Sequence, residues 1–338
     1  MVSKIAGKEM NRIGFGLLSL NLPRETPITV DDKVAMIKAA VDSGANFLNG
    51  AEFYGPNLQD NSLTLLNKYF EKYPEDADKL IISIKGGLRE GHKPDNSPEY
   101  TRESIEHCLS QLGDKGKIDA WAMARRVTQE DYIKSLRVID SFVKAGKIGG
   151  VALSEVNAKS IRQAAKIVKV VAVEVEMSLF NTDPLDDGIV EACSELDIPI
   201  LAYSPLGRSF LTGAIQKPED LYALFQRMPR FHPDNWEQNM KLVEALKGWA
   251  TKRGCTPAQL SINWLAELSD RPSMPKILPI PGAASLARIK ENIHEVKLSS
   301  ADMTEIDRFL KQFTVQGERV PEFMRTWLDT NDTTEVTA

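Results

Sequence analysis

Cysteine is scarce in this chain. Three residues, Cys108, Cys193 and Cys255, stand far apart with no CxxC spacing, and the four histidines, His92, His107, His232 and His294, are equally scattered. Such a pattern supports neither a disulfide framework nor a zinc site, so no protein-bound metal is expected. The economical reading is a reducing compartment, cytoplasmic and also open to the nucleus. No apolar run approaches the roughly 20 residues that cross a bilayer, and residues 1–7 lack the apolar block of a signal peptide. An excess of either charge is missing as well: 42 basic against 47 acidic residues leave a net charge of −5, with no general pull towards nucleic acid or an anionic membrane. The dinucleotide fingerprint GxGxxG is absent too, since Gly14-Phe15-Gly16 has no third glycine in place.

What is present is alternation. Short Val-, Ile- and Leu-rich runs at 12–16, 46–49, 80–84, 118–122, 150–153, 171–175, 200–203 and 276–280 suit strands buried on both faces of a parallel sheet. Helical spacing fills the intervals: Val34, Ile37, Ala40 and Val41 before a stop at Gly44; Ile105, Cys108, Leu109 and Leu112; and Ile133, Leu136, Ile139, Phe142 and Val143 before Gly146. Further helices fit 158–168, 186–196, 236–252 and 285–292, and Thr256-Pro257 caps another running to Trp264. Eight strands with helical crossovers predict a single α/β domain, a (β/α)₈ TIM barrel over residues 1–317, with a late insertion near 207–230. Residues 318–338 form a tail whose segment Glu318-Arg319-Val320-Pro321 is able to reach the barrel rim, and whose last ten residues are polar and expected to be poorly ordered.

In such a barrel the chemistry sits beyond the C-terminal ends of the strands. Tyr54 follows the second strand by a short loop, and Lys85 ends the third. An ammonium beside a phenol stabilises phenolate and so makes the phenol a better proton donor, here to a carbonyl oxygen as hydride reaches the carbon. On spacing alone the same residues equally suit a rim tyrosine and a solvent-facing lysine.

Several motifs add to this pattern: Asn46-Phe47-Leu48-Asn49-Gly50-Ala51-Glu52-Phe53-Tyr54-Gly55, Ile84-Lys85-Gly86-Gly87, Gly150-Val151-Ala152-Leu153-Ser154-Glu155, Ala202-Tyr203-Ser204-Pro205-Leu206-Gly207-Arg208 and Ile280-Pro281-Gly282-Ala283 followed by Arg288 and Asn292. In their order and placement residues 10–317 resemble the aldo-keto reductases, and more closely the fungal pyridoxal reductases. The resemblance implies NADPH/NADP+ as cofactor, Tyr54 as proton donor with Lys85 as its electrostatic partner, and Tyr203 as the face for nicotinamide. It also implies that Ser154 and Glu174 orient the carboxamide, Arg208 and Ser209 meet the pyrophosphate, Ser285 and Arg288 the adenosine phosphate, and Asn292 the adenine. Phe53, Trp121, Arg125 and Arg126 are candidates for the substrate pocket.

Two positions depart from the family's usual tetrad of aspartate, tyrosine, lysine and histidine. Asn49 stands where aspartate is usual, and Ala124 where histidine is. Asparagine can hydrogen-bond to Lys85 but cannot neutralise it, and alanine offers the carbonyl oxygen no donor. Glu155, where asparagine is frequent, is either a compensating contact or a solvent-facing residue. The expected reaction is NADPH-dependent reduction of pyridoxal to pyridoxine. Alternatives are a broader reductase of small aldehydes, a Schiff-base lysine enzyme built on Lys85, and a weakly catalytic NADPH-sensing interaction protein.

Overall fold

The computed structural model describes residues 4–325. Each of the eight apolar runs forms a strand: β1 Phe15–Gly16, β2 Phe47–Ala51, β3 Ile81–Gly86, β4 Ala120–Met123, β5 Val151–Ser154, β6 Val170–Glu176, β7 Ile200–Tyr203 and β8 Ile277–Pro279. They pair in parallel and in chain order. Closure comes from two further hydrogen bonds, in which the Gly14 and Gly16 N–H groups donate to the carbonyls of Pro279 and Pro281 at 3.0 Å. The expected (β/α)₈ barrel is therefore the observed one.

Parallel neighbours require crossovers. These are α1 Val30–Asp42, α2 Ser62–Lys72, α3 Pro98–Leu112, α4 Gln129–Lys144, α5 Ala158–Ile167 and α6 Ile189–Glu195; α7 Pro233–Arg253 and α8 Pro257–Leu268 precede β8, and α9 Leu286–Ile293 and α10 Ser300–Leu310 follow it. Two of them, α2 and α10, escaped the sequence reading although their signals are present. Asn61 caps α2 ahead of buried Leu63, Leu66 and Phe70, and Ser299 with Asp302 makes a capping box for α10. The insertion after β7 is compact, with short turns packed through Phe210 and Phe231 against Phe180 and Trp236.

Period-two alternation decides what fills the barrel. Phe47, Ile81, Ala120, Ala122, Ala152, Ala172, Leu201 and Leu278 form one buried cluster, contributed by seven strands, whereas Leu48, Ile82, Trp121, Leu153, Val173 and Ile200 belong to the larger core under the helices. Gly14 has no side chain because a Cβ there would come within 3.1 Å of Phe47 and 3.0 Å of Ile280. A hairpin of Lys4–Ile5 and Lys8–Glu9 brings Ile5 into the inner cluster. Above this layer the same inward parity continues through Asn49, Lys85, Ser154, Glu174, Glu176 and Tyr203, and the alanines at 120, 122 and 152 leave room for long polar side chains.

The tail segment reaches the rim as expected. The Gln316 N–H donates to Asn239 Oδ1 and the Asn239 amide returns a bond to the Gln316 carbonyl, both 2.9 Å, while Arg230 donates to the Gly317 carbonyl at 3.3 Å. The polar last ten residues, 329–338, expected to be poorly ordered, lie outside the described residues.

Candidate active site

Tyr54 is held by a pinned loop. Its N–H donates to the Ala51 carbonyl at 3.2 Å, and the Ser62 hydroxyl at the start of α2 accepts from Ala51 N–H at 2.8 Å while donating to Ala51 C=O at 2.7 Å. Lys85 lies one residue inside β3, its ammonium 5.0 Å from the Tyr54 ring centre. Next to it Gly86 is required, because a Cβ there would lie 2.4 Å from Ser104 Oγ and 2.5 Å from Trp121. The buried Glu52 carboxylate accepts from Gly87 N–H at 2.9 Å and from Ser104 at 2.8 Å, fixing the turn that ends the strand. Phe53 packs edge-on against Tyr54, with ring centres 5.2 Å apart.

Lys85 does not lack a counter-charge. Its ammonium lies 2.8 Å from Glu174 Oε1 and donates to Asn49 Oδ1 at 2.8 Å, and the Asn49 amide donates to Glu174 Oε2 at 2.7 Å. All three side chains are buried. Burial opposes charge on Lys85, but the Glu174 carboxylate and then Tyr54 outweigh it, and its pKa is raised. Glu174 thus has partners that the resemblance does not imply: one oxygen meets Lys85 and the other accepts from Asn49.

A second charged group closes the mouth above β5 and β6. Glu155 is only 2% exposed, which removes the solvent-facing alternative. Arg319 from the tail grips it through both oxygens, at 2.7 and 3.2 Å, and reaches Glu176 at 3.3 Å and the Tyr203 hydroxyl at 3.4 Å. Burial would raise the Glu155 pKa; Arg319, with Arg125 further off, reverses this and holds it at about 2. Arg208 meets the same Glu176 oxygen, Oε2, at 2.9 Å, and its guanidinium lies over Phe225. The backbone at Glu155, Ser204, Arg208 and Ser209 has φ of 54°, 51°, 59° and 76°, strained conformations for non-glycine residues that gather on the mouth loops after β5 and β7.

A cleft of about 800 Å³ runs from Asn49 and Tyr54 past Tyr203, Arg208 and Ser209 to Ser285, Arg288 and Asn292. Ser285 caps α9, accepting from Arg288 N–H, and the Arg288 side chain is exposed. The donor set suits a long ligand that carries phosphate: a guanidinium fork and free helix N–H groups at one end, an aromatic face and the Tyr54–Lys85 pair at the other.

The remaining pocket candidates divide. Trp121 is fully buried, because with Ala120 and Ala122 facing the lumen its parity turns it towards the helices; it is core and not pocket wall. Arg125 bends back to the Ala124 carbonyl at 2.6 Å, while Arg126 is bonded to Gln129. Ala124 is buried and places no polar side chain near Tyr54. Sequence reasoning gave no individual role to Arg319 or Glu176, and it missed Arg24, which also lines the cleft. No local signal marks Arg319 and Glu176, since their partners lie far off in the chain. Among the described residues no cluster of three or more His, Cys, Asp or Glu is placed to hold a metal ion, and no helix is long and apolar enough to cross a membrane.

Comparison with known proteins adds the lineage. The model of the aldo/keto reductase family matches residues 12–311. A protein of Schizosaccharomyces pombe described as probable pyridoxal reductase 2 is 34% identical over 325 residues, 93% of this chain and 96% of that protein. Probable aldo-keto reductase 1 of Glycine max is 32% identical, over 93% of this chain and 89% of the other. Among solved structures, the glycerol dehydrogenase of Gluconobacter oxydans superposes with a TM-score of 0.78 at 20% identity, over 94% of this chain and 97% of that one. An aldo/keto reductase of Klebsiella pneumoniae in complex with NADP and acetate gives 0.69 at 18%, over 95% and 98%.

Proposed function

The chain belongs to the aldo-keto reductase family, and we propose from this that it is an NADPH-dependent reductase of small aldehydes, with pyridoxal among its substrates. The observation that carries the reading is the Tyr54–Lys85 pair at the end of a long cleft whose far end holds Ser285 and Arg288.

When bound, NADPH supplies the hydride for the carbonyl carbon. The chain supplies everything else. Ser285, Arg288 and the free N–H groups opening α9 take the adenosine phosphate, Arg208 and Ser209 the pyrophosphate, and Asn292 the adenine. Tyr203 offers the aromatic face, with its hydroxyl tied back by Arg319, and Ser154 at the end of β5 would orient the carboxamide. Tyr54 donates its phenolic proton to the carbonyl oxygen as negative charge develops there, and the Lys85 ammonium stabilises the phenolate left behind. The protonated state imposed on Lys85 by Glu174 is the opposite of what an imine-forming lysine needs, which weighs against Schiff-base chemistry.

Ala124 bears on substrate choice. With alanine where the family usually has histidine, the carbonyl oxygen receives one side-chain donor instead of two. Pyridoxal carries its own phenolic oxygen beside the aldehyde and is suited to such a site, and the 34% identical S. pombe protein supports the same choice. The test is NADPH oxidation with pyridoxal and with a panel of small aldehydes, comparing wild type with Tyr54→Phe. A fall of about 10²–10⁴ in kcat is expected for the variant. Undiminished turnover would refute the acid role, and comparable kcat/KM across the panel would identify the broader reductase.

A further inference from the structure

The Lys85–Asn49–Glu174 triangle joins three strands across the barrel. Asn49 projects from β2, Lys85 from β3 and Glu174 from β6, where it is paired with Ser154 on one side and Leu201 on the other. Hydrogen-bond chemistry allows only one arrangement. An ammonium has no acceptor and a carboxylate no donor, so a residue bridging them must accept on one atom and donate on another. An amide does this; a carboxylate cannot. The observed contacts of 2.8 Å from Lys85 to Asn49 Oδ1 and 2.7 Å from Asn49 Nδ2 to Glu174 are those of such a bridge.

We propose that Glu174 is a positioning residue for the reaction: its carboxylate keeps the Lys85 ammonium charged and directed at Tyr54, and Asn49 is an amide because it must link the two. The proposal rests on the reductase reading above and adds a charge carrier to it. It also reverses the meaning of Asn49. Asparagine at that position is no loss, since a carboxylate there would stand 2.7 Å from Glu174, too close for both to be ionised.

The titratable groups facing Lys85 are Glu174 and Tyr54. Replacing Glu174 by glutamine removes the larger of the two influences that oppose burial, so the lysine pKa falls from its raised position. The alkaline limb of the rate profile should then move towards neutrality.

Four proteins test this: wild type, Glu174→Gln, Asn49→Asp and the double variant Asn49→Asp/Glu174→Gln. Expected for Glu174→Gln is a fall in kcat of about 10- to 100-fold, an alkaline limb shifted to lower pH, and a Kd for NADPH within about threefold of wild type. Asn49→Asp alone should also lose activity, and the double variant, with its carboxylate moved to β2, should recover most of kcat and restore the limb. Thermal unfolding of the same four reads the charge arrangement without turnover: both single variants should melt lower than wild type and the double variant should recover. Should Glu174→Gln fail to fold, soluble double variant would itself be the rescue.

The proposal is overturned if Glu174→Gln keeps the wild-type kcat and limb, if it tightens NADPH without changing either, or if the double variant is no better than the worse single one in activity or melting. Failure of the reductase reading looks different. Turnover would then be absent from wild type or indifferent to Tyr54→Phe, while the melting pattern would stand.

Discussion

Replacing Arg319 with methionine should cost this protein several kcal/mol while leaving the path of the tail intact. The guanidinium is the partner of Glu155 through both oxygens and shares Glu176 with Arg208. Methionine keeps the aliphatic stem, and the bonds of Gln316 to Asn239 and of Gly317 to Arg230 still hold the segment. What is lost is the charge against a carboxylate that is 2% exposed. Removing one partner of a buried ion pair typically costs about 3–5 kcal/mol. The depression of the Glu155 pKa from 4.5 to about 2 corresponds to about 3 kcal/mol, which agrees in order of magnitude.

The sign with pH follows from the same shift. A carboxyl whose folded pKa is depressed stabilises the fold above its unfolded value of 4.5, and loses that contribution as pH falls towards about 2. Without Arg319 burial raises the Glu155 pKa, so acidification relieves the variant. The stability gap should be widest near neutrality and narrow below about pH 4. Urea unfolding of wild type and Arg319→Met from pH 7 to pH 3 measures this. Adding Glu155→Gln should recover about half of the loss, Glu176 keeping its bond to Arg208. A gap below about 1 kcal/mol at pH 7, or one that does not change with pH, would refute the reasoning.

Two further outcomes test the cleft and the turn beside Lys85. Arg288→Ala should raise the KM for NADPH about tenfold with little change in kcat, since the side chain is exposed at the phosphate end and remote from Tyr54; steady-state kinetics at varied NADPH will show it. Gly86→Ala should lower stability by about 1–3 kcal/mol, because its Cβ would collide with Ser104 and Trp121. Activity should fall in parallel as the end of β3 shifts, which melting and rate measurements on the same preparation will reveal.

Much of the site was legible as a set of positions. Tyr54, Lys85, Tyr203 and Arg288 lie at or just beyond strand ends or open a helix; Tyr54, Tyr203 and Arg288 line one cleft, and Lys85 sits beside Tyr54. What misled was the partner of each. Trp121 reads as a pocket candidate, yet the pleat sends consecutive residues to opposite faces. The resemblance gives Glu174 a carboxamide to orient and does not reveal its ion pair with the buried Lys85 ammonium. The sequence leaves Glu155 open between two roles because its partner, Arg319, comes from the tail.

By itself the sequence determined the barrel and its layering. Eight apolar runs separated by capped helices admit few architectures, and the period of two within each run assigns one set of side chains to the lumen and the other to the helices. Only the closed tertiary structure decided which lumen residues meet. Asn49 and Glu174 stand 125 residues apart and Arg319 and Glu155 164, and no local pattern encodes such contacts. They arise because closing the sheet sets β2 and β3 opposite β6, and because small side chains between them leave a gap that long, oppositely charged side chains can cross.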